Sequence, residues 1–341
     1  MNQTRLDTPF PAAPTAPELL EVTPGVRWLR MPLPWSLNHI NLWLLDDDEG
    51  IALVDTGLGD PATRATWTGL LETLGRPISR IIATHYHPDH LGNAEWLSGA
   101  TGAPIHLSMG EYLLAHALHA QTSGFDMSSL HAHFLRHGLD EERLAKMAAR
   151  GNIYARGVPT LPTRYRRLVD GDQLEIGGRS WQAIAGYGHS PEHMSLHCAE
   201  AGLLISGDML LPRITTNISV PAAMPEEDSV GRFLASLERF RPLPADTLVL
   251  PAHGLPFRGI PARVDQLFAH HAERDATMLE AMQNFCSAAD LLPVLFPREL
   301  DSHQLLFAMG EAIAHLNHLH QQGLVHRIEE ASGLIRYQAL N

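Results

Sequence analysis

Short apolar runs separated by turn residues dominate the pattern of the chain. Residues 25–33 alternate apolar and polar positions and predict a half-buried strand. Residues 40–45 and 51–55 predict two more, joined by the acidic turn Asp46-Asp47-Asp48-Glu49-Gly50, which reads as a solvated hairpin tip. Pro61 can open and Gly75 can close a helix over 62–74. The β-branched run 81–84 predicts a buried strand, a helical pattern begins at Leu91, and 104–107 predicts another strand. Residues 108–163 differ, with helical patterns over 111–120 and 128–150. Strands then follow at 165–169, 173–176, 180–185, 195–198 and 203–206, a helix at 227–240 and a last strand at 247–250. From about residue 259 the pattern turns helical, over 264–285, 288–295 and 303–321, and closes with a short hairpin within 323–337. Strands alternating with helices imply an α/β layered fold. The expected division is an N-terminal arm (1–20, rich in Pro, Ala and Thr, packing loosely across the surface), a main domain (21–258, with a helical insertion at about 108–163) and a small C-terminal domain (259–341).

Composition narrows the function classes. The 341 residues suffice for one large domain and a small one, and 45% hydrophobic content is ordinary for a soluble protein. A formal net charge of −13 disfavours nucleic acid and anionic membranes as partners, leaving a small-molecule substrate. Lys146 is the only lysine and lies in an amphipathic helical pattern, so Schiff-base chemistry has one poor candidate. Cys198 and Cys286 are too few for a disulfide scaffold. No charged segment followed by an apolar core opens the chain, and no apolar run reaches about 18 residues. The expected compartment is therefore the cytoplasm.

The chemistry concentrates in His85-Tyr86-His87-Pro88-Asp89-His90, directly after the buried strand. Residues two apart in an extended segment point the same way, so His85 and His87 can address one cation. Pro88 disfavours helix at His87 and holds that geometry. Asp89 and His90 lie where a helix begins and can turn toward a second ion. Imidazole and carboxylate suit zinc, and also iron or manganese. With 21 histidines in the chain a single His carries little information, but four potential ligands at this spacing do.

The pattern His-x-His-x-Asp-His resembles that of the metallo-β-lactamase superfamily of metal-dependent hydrolases. Asp55 in Val54-Asp55-Thr56-Gly57, His189 in Gly188-His189-Ser190-Pro191, Asp208 in Ser206-Gly207-Asp208 and His253 in Pro251-Ala252-His253-Gly254 match its remaining motifs in type and order. The resemblance implies a four-layer αββα sandwich with two divalent ions at one edge, zinc first and iron or manganese as alternatives. It assigns His85, His87 and His189 to one ion, Asp89, His90 and His253 to the other, and Asp208 to both. It implies a hydroxide between ions about 3.5–4 Å apart as nucleophile. Asp89 would also assist proton transfer, and Asp55 would hold the ligand loops from behind. His193, four residues past His189, is either a further ligand or a donor behind the ligands; with the ligand set full, the latter is expected. Tyr187 and Tyr86 sit inside ligand loops, where a phenol can face an oxyanion or simply pack. His39, Arg213, Thr215 and Asn217 are expected at the pocket rim.

The C-terminal order of helix, helix and hairpin resembles a winged-helix-like tail found on some members. A DNA-reading helix needs a basic face, and between Asp301 and Asn341 there are only Arg327 and Arg336. The tail is therefore expected to pack or to support a homodimer. The insertion, carrying His116, His119, His131, His133 and His137, is expected beside the site, with most of those histidines in surface or packing roles. The expected function is hydrolysis of a small ester, thioester or lactone. The alternative is a single-strand ribonuclease or other phosphodiesterase using the same metals, which would need a basic track.

Overall fold

The computed structural model describes residues 6–340. One sheet runs β1 (Leu19–Thr23), β2 (Val26–Pro32), β3 (His39–Asp47), β4 (Gly50–Val54), β5 (Ile78–Ile82), β6 (Ile105–Leu107) and β7 (Arg166–Arg167), in that spatial order. The other sets β8 (Gln173–Ile176), β9 (Arg179–Gly186), β10 (His193–Cys198), β11 (Leu203–Gly207) and β12 (Leu248–Pro251) side by side. A separate hairpin is formed by β13 (Val325–Glu329) and β14 (Ile335–Ala339). The helices are α1 (Pro61–Thr73), α2 (Pro88–Leu91), α3 (Ala94–Thr101), α4 (Met109–His119), α5 (Met127–Arg136), α6 (Glu141–Ala148), α7 (Ile153–Gly157), α8 (Ser229–Glu238), α9 (Ile260–Ala281), α10 (Ala288–Leu295) and α11 (Ser302–Gln321).

The alternation along each strand builds the layers. Trp28, Trp43, Val54 and Ile82 of the first sheet share a core with Trp181, Ala183, Leu196 and Ile205 of the second. Their neighbours Leu29, Leu42, Leu53 and Ile81 point the other way, onto Trp67 and Leu70 of α1 and Leu97 of α3. Ile184, Leu204 and Val249 leave the second sheet outward, onto Phe233 of α8 and Val264 of α9. Helix, sheet, sheet and helix are thus stacked, as expected. The outer core of the second sheet continues without a break into Ile313 and Leu316 of α11 and Tyr337 of β14, so the C-terminal region shares this core.

Three local readings change. Residues 1–5 of the expected arm lie outside the described residues; from Leu6 on, the arm packs down, Arg258 N donating to Asp7 O (2.8 Å) and the Phe10 ring lying edge-on to Trp28. Its last two residues already belong to β1, the edge strand paired with β2. The expected helix over 128–150 is two helices. Gly138 sits between them at φ +88°, and a Cβ there would lie 2.3 Å from Ser287 Oγ at the start of α10; Asp140 then caps α6. The acidic turn is not merely solvated. Asp47 is buried and accepts from Ser79 Oγ (2.7 Å), Arg80 Nε (3.1 Å) and Gly177 N (3.3 Å), tying the hairpin to β5 and to the turn between β8 and β9. Burial works against its charge, but these partners hold its carboxyl below the usual range. Among the described residues no helix is long and apolar enough to cross a membrane.

Candidate metal centre

The loops that leave β4, β5, β9, β11 and β12 at their C-terminal ends converge on one edge between the sheets. His87 adopts φ −57°, ψ 148° and precedes the Pro88 that opens α2, the extended conformation its proline neighbour imposes. Asp89 and His90 then turn within α2. His193 on β10 brings the second sheet close, with Met194 N donating to Thr84 O (2.9 Å).

Two groups of donors result. His85, His87, His189 and Asp208 offer ligand atoms within 4.8 Å of one another, and so do Asp89, His90 and His253. His85 Nε2 lies 2.8 Å from His87 Nδ1 and 3.2 Å from His189 Nε2. Asp208 spans both groups. Its Oδ2 faces His189 Nε2 at 3.4 Å and His85 Nε2 at 3.9 Å, while its Oδ1 faces His253 Nε2 at 3.4 Å and His90 Nε2 at 3.6 Å. Asp89 Oδ2 lies 3.5 Å from His253 Nε2 and 3.8 Å from His90 Nε2.

The ring nitrogens facing away from the centre are anchored. His189 Nδ1 donates to Asn217 O (2.7 Å), His253 Nδ1 to His39 O (2.7 Å) and His90 Nδ1 to Asp55 Oδ2 (2.8 Å). Thr84 Oγ1 donates to Asp55 Oδ2 (3.0 Å) and accepts from His85 Nδ1 (3.0 Å). With the proton on Nδ1, each ring turns its Nε2 lone pair inward. His90 Nε2 and Asp208 Oδ1 are buried without a hydrogen-bond partner. Asp55, Asp89 and Asp208 are also buried, and among the described residues no Lys or Arg pairs with them. Buried carboxylates need positive charge, and here only imidazoles stand near. Burial lowers the affinity of His90 for a proton, yet Asp55, Asp89 and Asp208 outweigh it and lift this group to about 10. Burial and neighbouring imidazoles instead hold His85 and His87 well below the ordinary value. Orphaned inward-facing donors, anchored outer nitrogens and uncompensated carboxylates all fit divalent cations in the two groups.

The remaining singled-out residues fall in different places. Asp55 occupies the left-handed region (φ 62°), and its other oxygen accepts from Thr84 N (2.7 Å). His193 Nε2 accepts from Asp208 N (3.1 Å), so this ring holds the backbone of a candidate ligand. His39 is engaged twice with the His253 loop, its carbonyl as above and its Nε2 accepting from Gly254 N (2.9 Å); burial, with Arg30 and His253 nearby, holds its ring down to about 4. Tyr86 packs edge-on to His85 and His87, and burial raises its phenol above the ordinary value. Tyr187 is fixed through its backbone N to Ser236 Oγ (2.9 Å) on α8, and its ring is exposed. Asn217 contributes its carbonyl to His189 and its amide to Ser219 Oγ (3.1 Å), while Arg213 is exposed and Thr215 partly buried. The insertion reaches the C-terminal region as well as the site: His137 stacks on Tyr337, His133 packs beside it, and His116 Nε2 bonds Pro162 O (3.0 Å).

Several supporting residues carry no motif in the sequence. Asn41 Nδ2 donates to Pro251 O (2.9 Å) and Gly254 O (3.0 Å), and Arg30 also donates to Gly254 O. Arg263 of α9, buried, donates to Leu211 O (2.5 Å) and Ile214 O (2.7 Å) just past Asp208. Glu111 is fully buried and accepts from both ligand-bearing sides. Burial pushes its carboxyl up to about 7, against the pull of those hydrogen bonds.

Known proteins resemble this chain in sequence and in fold. The family model described as Metallo-beta-lactamase superfamily matches residues 35–253, and that of the Metallo-beta-lactamase-like, C-terminal domain matches residues 276–340. The chain is similar to the solved structure of a beta-lactamase domain protein from Burkholderia ambifaria, 44% identical over 98% of each chain with a TM-score of 0.91. It is also similar to a metallo-beta-lactamase family protein from Thermus thermophilus, 30% identical over 94% of this chain and 100% of that one, TM-score 0.81. A hydroxyacylglutathione hydrolase from Rhodospirillum rubrum is 28% identical over 218 residues, which cover 64% of this chain and 62% of that protein, so the chain spans less than two thirds of that relative's length. On the superfamily match over most of its length and the structural likeness over nearly all of it, the chain belongs to the metallo-beta-lactamase superfamily of metal-dependent hydrolases.

Proposed function

We propose that the protein hydrolyses a small ester, thioester or lactone at a dinuclear centre. His85, His87 and His189 hold one divalent ion, Asp89, His90 and His253 hold the other, and Asp208 serves both. The carrying observation is the split of Asp208, with Oδ2 toward the first group and Oδ1 toward the second. Zinc suits this nitrogen and oxygen set, and iron or manganese are alternatives. Such ions supply Lewis acidity and lower the pKa of water. The chain's own residues do the orienting. Asp55 keeps the His90 proton on Nδ1 directly and that of His85 through Thr84, and the carbonyls of Asn217 and His39 do the same for His189 and His253. In this reading Asp89 also assists proton transfer at the centre, and Tyr187, whose ring is exposed, is the phenol assigned to a developing oxyanion. Within this class a thioester is the first choice. A hydroxyacylglutathione is a thioester, and a hydrolase of that substrate is a relative. The net charge of −13 works against a polyanionic strand.

The test is metal reconstitution followed by elemental analysis and a substrate panel of acyl thioesters, lactones, esters, a phosphodiester and single-stranded RNA. Two ions per chain with turnover of a thioester, lactone or ester is expected. Fewer than two ions per chain, or turnover confined to the phosphodiester or RNA, would overturn the proposal.

A further inference from the structure

The ligands of the first group come from loops on different sheets: His85 and His87 follow β5, and His189 follows β9. Something must set the distance between those loops. We infer that Glu111, on the first helix of the insertion, is a positioning residue that clamps them together.

All the acceptor capacity the structure shows for this carboxylate goes to the two loops. Oε2 accepts from Tyr86 N (2.9 Å), the residue between His85 and His87. Oε1 accepts from Ser190 Oγ (2.6 Å), next to His189, and from Glu192 N (2.7 Å). The contact is reciprocal, for Glu192 Oε2 accepts from Gly110 N (3.0 Å) and Glu192 O from Ser108 Oγ (2.9 Å). Gly110 permits the approach, since a Cβ there would lie 3.2 Å from the Cβ atoms of Pro191 and Glu192. From α7, Tyr154 Oη donates to Tyr86 O (2.8 Å), so the insertion grips that residue from both sides.

A packing role does not account for this choice of side chain. Burying a carboxylate is costly unless donors meet it. An apolar residue would fill the space without that cost. The local sequence also offers Glu111 a different use. Ser108-Met109-Gly110-Glu111 has the spacing of a capping box, in which the glutamate would bond back to the Ser108 amide. Ser108 does cap the helix, but the Glu111 carboxylate leaves that amide and reaches the ligand loops instead. The helix forgoes a local hydrogen bond so that three donors from the metal loops are met.

This inference rests on the dinuclear reading above, and the experiment separates the two. Zinc is titrated calorimetrically into metal-free full-length wild type, Glu111→Ala and Glu111→Gln, with His87→Ala and His253→Ala as references for the two groups. Glu111→Ala should weaken one ion about 10–100-fold, the scale for residues that orient ligands, and leave the other unchanged. Glu111→Gln keeps one acceptor oxygen and should weaken the same ion less. In double variants the effect should be non-additive with His87→Ala and additive with His253→Ala. Should Glu111→Ala fail to fold, Glu111→Gln carries the same comparison. A wild type that takes up fewer than two ions overturns the dinuclear reading. A two-ion wild type beside variants that bind both ions as tightly, or lose both equally, overturns the role of Glu111 alone.

Discussion

Replacing Asp55 by Asn isolates the proton placement behind the centre. The buried carboxylate accepts from Thr84 N on one oxygen and from Thr84 Oγ1 and His90 Nδ1 on the other. Asn tolerates the left-handed backbone that Asp55 adopts, so the loop itself is not strained further. It has only one carbonyl oxygen to offer. If that oxygen faces Thr84 N, the amide nitrogen faces His90 Nδ1. Two donors cannot meet there, so His90 must place its proton on Nε2, where a cation would bind. If the amide flips, Thr84 N is left buried and unsatisfied, at about 1–3 kcal/mol. The first orientation is therefore favoured, and the loss should appear in metal affinity. A fall of about 10–100-fold for the ion held by His90, or about 1.4–2.8 kcal/mol, is expected. Asp55→Ala should instead orphan Thr84 N, leave His90 Nδ1 only Thr84 Oγ1 at 3.2 Å, and lower stability by about 1–3 kcal/mol. Calorimetric metal titration gives the first number and thermal melting of the metal-free protein the second. An Asp55→Asn protein that binds both ions with wild-type affinity would refute this account of His90.

Two further outcomes test the frame around the centre. Ile313→Ala, in the core shared by α8, α9 and α11, should lower stability by about 2–5 kcal/mol in a denaturant melt; the metal content in native buffer should stay that of the wild type, and loss of metal from folded protein would show that this core also supports the candidate metal centre. His318 and Asp228 form a partly buried pair 2.9 Å apart. Burial opposes the charge on each, but the partner wins: His318 is raised above 6.5 and Asp228 is lowered below 3.8. The His318 contribution is complete below about 6.5 and is lost as pH rises through the folded value; that of Asp228 is complete above about 3.8 and is lost as pH falls through the folded value. The pair is thus worth most between about pH 4 and 6.5, on the order of 1 kcal/mol. The melting-temperature gap between wild type and His318→Gln should be widest near pH 5.5 and narrow as pH rises through the folded value of His318, and a gap that does not narrow with rising pH would refute it.

The sequence by itself determined what depends on near neighbours. The spacing of His85, His87, Asp89 and His90 around Pro88 sets their local directions, and the alternation in β2, β3 and β9 tells which residues share a face. The break between α5 and α6 was not among these: the helical period led to one helix over 128–150, and the close approach of Gly138 to Ser287 shows why it ends there. Only the tertiary structure decided what faces each buried polar group. Asp47 looked like part of a wet turn until β5 and the turn after β8 closed over it. Glu111 carried no functional signal in the helical pattern over 111–120, and only the approach of loops from both sheets gives its carboxylate its partners. Asn41, Arg30 and Arg263 sit in unremarkable strand and helix patterns, yet they hold the loops of His253 and Asp208 from far along the chain. The physical reason is that periodicity records which side of an element leaves water. The hydrogen bonds that a buried polar group must make are supplied by whichever segment packs against it, and that partner is chosen by the fold.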